Sequence, residues 1–293
     1  MRARDVSSIL LLVAVSTRSS GQSSPADSVP APLVTHLLRT IRGSTYLGHL
    51  VENGAGPDSV RFETDGGVLA LPKTAIREIV LVSPRDMHDG EYWFPNPNAT
   101  RLFFAPTGRM LGRGEGYYSN TYLFFNGVSR GVTDNFSFGG NMTVIPSTTQ
   151  QLGYLTPKLG IYASENLNVG VGALLGYNGF GSNNRERQFG MLYSVATVGS
   201  ADVSGTGGVG WGYQGSGLAK TPAFMLGGAA RVSRRMALVT ENYYVSSASG
   251  SYTLLGYGFR FFGEKISVDL AFLNSASDAV FPGIPFVSFA VKF

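Results

Sequence analysis

The chain is 293 residues long, 14% charged and 12% aromatic, with 39 glycines and a net charge of +4. Average soluble domains are about one quarter charged, so an ordinary soluble enzyme is a poor fit, and so modest a net charge argues against nucleic acid as a partner. Cysteine is absent, which excludes disulfides, thiolate metal sites, cysteine nucleophiles and a lipid-modified N-terminal cysteine; no apolar run reaches about eighteen residues, which excludes a membrane-spanning helix.

Residues 1–22 read as a secretory signal peptide. Arg2 and Arg4 supply the positive start, Ile9 to Val15 the apolar centre, and Ser19 and Gly21 the small residues before a cut. Residues 23–32, S-S-P-A-D-S-V-P-A-P, form a Pro/Ser linker without periodicity. Residues 33–84 then read as a small β-module. T-Y-L-G-H-L-V at 45–51 alternates as a strand, 60–64 is a second, and Asp65-Gly66-Gly67 marks a tight hairpin because glycine tolerates positive φ. Residues 68–71 return, Pro72 breaks the ladder, and 76–82 closes the set. The strand spacing and the T-x-x-G-x-apolar opening resemble an SH3-like or Sm-like small barrel. Sm-type proteins bind RNA, but Glu52, Asp58, Glu63, Asp65 and Glu78 leave no basic surface here. The expectation is a periplasmic module that packs on a barrel mouth or on a periplasmic protein partner.

The second domain is expected over 92–293. Its first stretch reads Y-W-F-P-N-P-N-A-T-R-L-F-F-A-P-T-G and then G-R-G-E-G-Y-Y-S-N-T-Y-L-F. This resembles an uncharacterised family of bacterial outer-membrane barrel proteins that carry N-P-x-x-T-R-x-x-F-x-P followed by G-x-G-Y-Y-x-N. The resemblance spans residues 93 to about 141 and implies an architecture but no chemistry.

Twelve segments are expected as strands: 100–105, 117–126, 136–144, 159–164, 169–177, 189–198, 205–213, 224–232, 236–244, 252–262, 266–273 and 286–293. Their clearest apolar faces are Phe136/Phe138/Met142, Val169/Val171/Leu175, Val209/Trp211/Tyr213, Leu255/Tyr257/Phe259/Phe261 and Ile266/Val268/Leu270/Phe272. Opposite them lie Ser137, Asn141, Thr143, many glycines, Arg260, Ser267 and Asp269. Apolar-out, polar-in alternation over about ten-residue segments is how a transmembrane barrel is written. The fold class is therefore all-β: a transmembrane antiparallel barrel of about twelve strands preceded by the SH3-like periplasmic module. An even count returns both ends to one side. The connections on that side (128–135, 165–168, 201–204, 233–235, 263–265) are mostly short, and the others (146–158, 178–188, 214–222, 275–285) mostly longer. The first segment contains prolines and has a second reading, as a plug or loop. Segment 236–244 alternates poorly and is expected to hold a bulge.

In the last segment Val287, Phe289, Val291 and Phe293 share the outward face. An alternating apolar stripe ending on a terminal aromatic resembles the assembly signal of bacterial outer-membrane barrels. Outer-membrane lipid and the barrel assembly machinery are thus the expected partners.

Motifs that carry chemistry are scarce. G-T-G-G-V-G at 205–210 matches a dinucleotide fingerprint, but Trp211 and Tyr213 continue a two-residue period where a helix would be required. His36, His49 and His88 all precede the barrel and lack metal-ligand spacing. A barrel serine would have no histidine base. No catalytic residue, cofactor or metal site is expected. Arg185-Glu186-Arg187 reads as a solvated outer loop. The lumen candidates are Ser137, Asn141, Arg231, Glu241, Arg260 and Asp269, with the inward charges expected to pair. The sequence thus predicts a non-enzymatic outer-membrane barrel, either a narrow pore or a structural and surface component. Its rivals are a barrel-embedded lipid-modifying enzyme and an adhesion or partner-binding module.

Overall fold

The computed structural model describes residues 34–51, 56–146, 151–179, 188–247 and 250–293. The signal at 1–22, the linker at 23–32 and Arg185-Glu186-Arg187 lie outside the described residues. The chain divides into two units, Met1–Val82 and Ser83–Phe293.

The first unit is an antiparallel sheet of β1 (His36–Thr40), β2 (Thr45–Val51), β3 (Ser59–Thr64), β4 (Gly67–Pro72) and β5 (Ile76–Leu81), in the order β4-β3-β2-β1-β5. Gly67 takes a φ of 113°, as the tight β3–β4 hairpin requires. The strand missing from the sequence reading is β1. Its Leu37 and Leu38 are consecutive and both buried, as are Phe62 and Val82. A strand covered on both faces shows no alternation to detect.

The second unit opens with a short hairpin of β6 (Met87–His88) and β7 (Glu91–Tyr92). The strands that follow are β8 (Gly116–Thr121), β9 (Phe125–Thr133), β10 (Phe136–Thr143), β11 (Leu152–Leu155), β12 (Lys158–Ala163), β13 (Leu167–Asn178), β14 (Gln188–Gly199) and β15 (Val203–Gln214). After them come β16 (Gly217–Leu218), β17 (Ala223–Ser233), β18 (Met236–Ser247), β19 (Gly250–Phe262), β20 (Ile266–Ser275) and β21 (Ile284–Lys292). These fourteen form one sheet that closes on itself. Discounting the two-residue β16, and joining β11 to β12 as one stave broken at Pro157, leaves a closed antiparallel barrel of twelve staves. Proline lacks the N–H that a continuous ladder needs.

Closure is made by β21 on β8, with Ser288 opposite Thr121 and Lys292 opposite Tyr117. Phe293 N–H then donates to the Gly116 carbonyl at 2.9 Å, and Gly116 N–H to that of Phe293 at 3.2 Å. Lys292 reaches Glu115 at 2.8 Å, a bond that holds the Glu115 carboxyl below the usual carboxylate range.

Two strand boundaries differ from the sequence reading. Residues 117–126 are not one strand: β8 ends at Thr121, and a turn over 122–124 leads into β9, most of which the sequence reading gave to a connection. Residues 100–105 are not a stave; their second reading, as a loop, holds, and the loop lies inside the barrel. The bulge expected in 236–244 sits instead on the partner strand, between Arg231 and Ser233 of β17, while β18 runs unbroken. Connections at 134–135, 164–166, 200–202, 234–235 and 263–265 share a side with both barrel ends.

Outward residues such as Leu192, Phe224, Leu226, Leu238, Phe259 and Leu270 are exposed, while their neighbours one position along face a filled interior. No helix is long and apolar enough to cross a membrane. A sheet without free edges and with an apolar exterior satisfies every backbone group while presenting hydrocarbon to hydrocarbon.

Candidate functional site

Between β7 and β8, residues 93–115 enter the lumen and return as an inward loop. Irregular backbone at membrane depth must find partners for each N–H and C=O, and charged side chains on the barrel wall supply them. On β19, Arg260 directs Nη1 to the carbonyls of Asn98 and Arg101 at 3.1 Å each, and Nη2 to that of Leu102 at 2.6 Å. Its Nε and Nη2 also donate to Asp269 on β20, at 2.6 and 3.1 Å. All five guanidinium N–H bonds are thereby engaged. Ser288 donates to the same carboxylate at 2.9 Å.

On β18, Glu241 accepts from three successive loop N–H groups, Phe103 at 2.7 Å, Phe104 at 3.0 Å and Ala105 at 3.1 Å. The Tyr243 hydroxyl donates to its other oxygen at 2.6 Å. Three convergent N–H groups form a nest that suits a carboxylate. The same register places both side chains inward, since Glu241 and Tyr243 lie two residues apart. On the returning limb, Lys158 of β12 donates to the carbonyls of Thr107 (2.6 Å) and Arg109, and Thr197 accepts from Gly108 N–H at 2.8 Å. Near the end that carries the termini, Arg231 of β17 binds the Phe94 carbonyl at 2.9 Å and Asp202 at 3.0 Å. Its guanidinium lies 5.1 Å from the ring centres of Trp93 and Phe94 and 5.0 Å from that of Phe262.

Apolar packing completes the anchoring. Leu102 and Phe103 are buried with Val239, Ala271 and Phe286. The loop runs so close to the wall that a Cβ on Gly131 would sit 2.1 Å from the Gly112 carbonyl oxygen, and one on Gly108 would sit 2.0 Å from that of Asn168. These positions admit only glycine without displacing the backbone.

The loop does not fill the lumen. Against β8 to β17 a cavity of about 520 Å³ remains. It extends from Arg109 and Leu111, beside the 200–202 connection, to Phe125, Phe189 and Ala223 near the opposite rim. Arg101, Arg109 and Lys158 line it, and among the described residues no carboxylate does.

No family model and no curated protein matches the sequence, so the likeness carried by the N-P-x-x-T-R and G-x-G-Y-Y-x-N patterns rests on those residues alone. Solved structures do align with it. The "KdgM porin" aligns with a TM-score of 0.42 and 8% identity, over 61% of this chain and 95% of its own. The "NanC porin" aligns at 0.39 and 8%, over 61% and 96%. The Acinetobacter baumannii outer membrane protein Omp33 aligns at 0.35 and 11%, over 61% and 95%. With TM-scores below 0.5, these likenesses leave the function to the chain's own geometry.

Of the six lumen candidates, Arg260 and Asp269 are brought together, while Arg231 pairs with Asp202 and Glu241 with loop N–H groups rather than with an arginine. Ser137 and Asn141 line the cavity, away from that cluster. Val287 and Val291 are exposed on the outside, as is Phe293; Phe289 neighbours Tyr118, with ring centres 6.0 Å apart. The sequence reading missed Arg101, Arg109, Lys158 and Tyr243. Tyr243 follows from the phase of Glu241, and Lys158 precedes an expected strand by one residue. Arg101 stands in the N-P-x-x-T-R pattern, which implied no chemistry, and Arg109 had no such signal, because a loop has no period. His88 stacks on Trp93 at 4.1 Å. Among the described residues no cluster of side chains suits a metal ion.

Proposed function

We propose that this chain is a non-enzymatic outer-membrane β-barrel that works as a narrow pore, its bore set by its own inward loop. The observation that carries the reading is the cavity of about 520 Å³ that runs beside the loop and is lined, among the described residues, by three cations and no carboxylate. Fixed positive charge in a narrow, low-dielectric passage favours anions. Among the described residues the lining also offers no histidine or carboxylate as a general base, which argues against the lipid-modifying rival. The even stave count returns both barrel ends to one side, which supports a periplasmic location for residues 34–82. The outward Val287, Phe289, Val291 and Phe293 remain the proposed assembly signal.

The test is reconstitution of refolded protein in planar bilayers. The expected result is a small unitary conductance with anions preferred over cations, and a weaker preference in Arg101→Gln and Lys158→Gln. A barrel that is folded by heat-modifiable migration yet passes no current would overturn the pore and leave the structural role.

A further inference from the structure

Two of the cavity's cations are incompletely partnered, and they face one apolar space. Lys158 is buried, has no carboxylate within ion-pair distance among the described residues, and uses two of its three ammonium donors on loop carbonyls. Arg101 has a buried Nε without any hydrogen-bond partner. Its Nη2 reaches Ser288 at 3.3 Å and lies 3.8 Å from Asp269, whose carboxylate is already held by both Arg260 and Ser288. The third cation, Arg109, donates to the carbonyls of Gly199 and Ser200. A buried charge without a counter-charge is unfavourable, and native interiors pair such groups. Lys158 lacks an anion, and Arg101 shares one that Arg260 already holds.

The walls set the rest of the ligand. Phe103, Phe125, Phe189 and Met225 line the cavity, and Tyr117 and Tyr193 carry hydroxyls at its surface. Tyr117 lies under the Arg101 guanidinium, 5.8 Å from ring centre to Cζ. Tyr193 packs over Gly172, the residue paired with Lys158 in the β12–β13 register. A volume of about 520 Å³ lies within the range of pockets that hold small organic molecules, about 300–1,000 Å³. A phosphate would leave the aromatic surface uncovered. A carboxylate on an apolar body meets both demands.

We infer that the lumen holds a binding site for a small amphipathic carboxylate, its acid group taken by Lys158 and Arg101 and its apolar body by the aromatic wall. The site rests on the reading of this cavity as the solute's path, and it adds the class of solute.

Isothermal titration of the detergent-refolded full chain with 4-phenylbutyrate, set against 4-phenylbutanol, tests it. The acid is expected to bind one to one and at least tenfold more tightly than the alcohol. Lys158→Gln and Arg101→Gln should each remove most of that difference. Lys158 also fastens the loop, so Tyr117→Phe, which leaves the anchors in place, is measured beside it and should weaken the acid only. Equal binding of acid and alcohol by the wild-type protein, or none, overturns the site, and that comparison needs no variant. Current measured on the same preparations separates the two readings. Conductance without carboxylate binding sinks the site alone, and binding without conductance sinks the pore alone.

Discussion

Arg260 shows at the scale of one residue how this lumen is held. Five N–H bonds meet five acceptors, three of them loop carbonyls that have no ladder to join. A lysine keeps the charge but offers three donors from one atom and cannot span that fork. Arg260→Lys is therefore expected to cost about 2–4 kcal/mol in urea unfolding from lipid vesicles, while insertion persists because the side chain never meets lipid. Glu241 tests the opposite polarity. In Glu241→Gln an amide NH₂ can turn toward the loop's N–H groups, and one or more of these donors lose their acceptor. The expected loss is about 1–3 kcal/mol, with faster protease cleavage between residues 100 and 106. Unchanged cleavage would show that the nest does not hold the loop. Replacing Arg231 or Arg260 by serine should likewise destabilise the protein rather than alter ion preference, since both are bound to carboxylates and loop carbonyls.

Elements divide into those with a period and those without. Most staves from β12 to β21 were legible because lipid on one side and a filled lumen on the other impose alternation. Residues 93–115 were not, since prolines 95, 97 and 106 deny them a ladder and their partners come from distant strands. The count of twelve came out right through two opposite errors, a loop read as a strand and β9 left uncounted. The reason for the second lies in the β8–β9 turn. Tyr122 and Leu123 take φ of 53° and 66°, where glycine or asparagine is usual, so T-Y-L-F gave no turn signal. The Leu123 N–H is held by the Asn120 side chain at 2.9 Å, and the Tyr122 hydroxyl by the Pro285 carbonyl at 2.7 Å. Left-handed geometry costs an L-residue roughly 1–2 kcal/mol, and Leu123 is largely exposed. Leu123→Asn should accordingly raise stability by about 0.5–1 kcal/mol, read as a higher urea midpoint; a fall would mean that the leucine makes contacts worth more than the strain. The terminal stave offers a paired test. Phe293 points outward and pairs its backbone with Gly116, whereas Phe286 is fully buried, with its ring centre 5.4 Å from that of Phe103. Phe293→Asp should lower the amount of inserted barrel in cells. Phe286→Ala should insert normally but lose about 3–5 kcal/mol. Equal membrane levels for Phe293→Asp and wild type would remove the terminal aromatic from the assembly signal.

For the whole molecule the question is whether the loop belongs to the barrel's core or only sits in it. Every stave pairs with two neighbours, and closure runs through β21 and β8, so no ladder bond depends on residues 94–112. Arg260 keeps Asp269 and Arg231 keeps Asp202 when the loop is gone, and Glu241 retains Tyr243 and gains water in an open lumen. What is lost is the packing of Leu102 and Phe103 on Val239, Ala271 and Phe286 and of Phe94 on Ala237 and Phe262, worth about 1.5–3 kcal/mol for each buried side chain, together with the loop carbonyls that hold Lys158. That loss falls on stability, not on topology. Replacing residues 94–112 by a short Gly-Ser bridge from Trp93 to Arg113 should thus leave an outer-membrane protein with heat-modifiable migration and a lower unfolding midpoint. With the obstruction removed and the cavity widened to the full lumen, unitary conductance should rise severalfold. Anion preference should weaken, because wide aqueous passages screen fixed charge over about 8 Å at physiological salt. Recovery of the deletion only as aggregated or periplasmic protein would show that the loop is part of the folding core, and the narrow bore would then be a consequence of stability rather than of selection for a small passage.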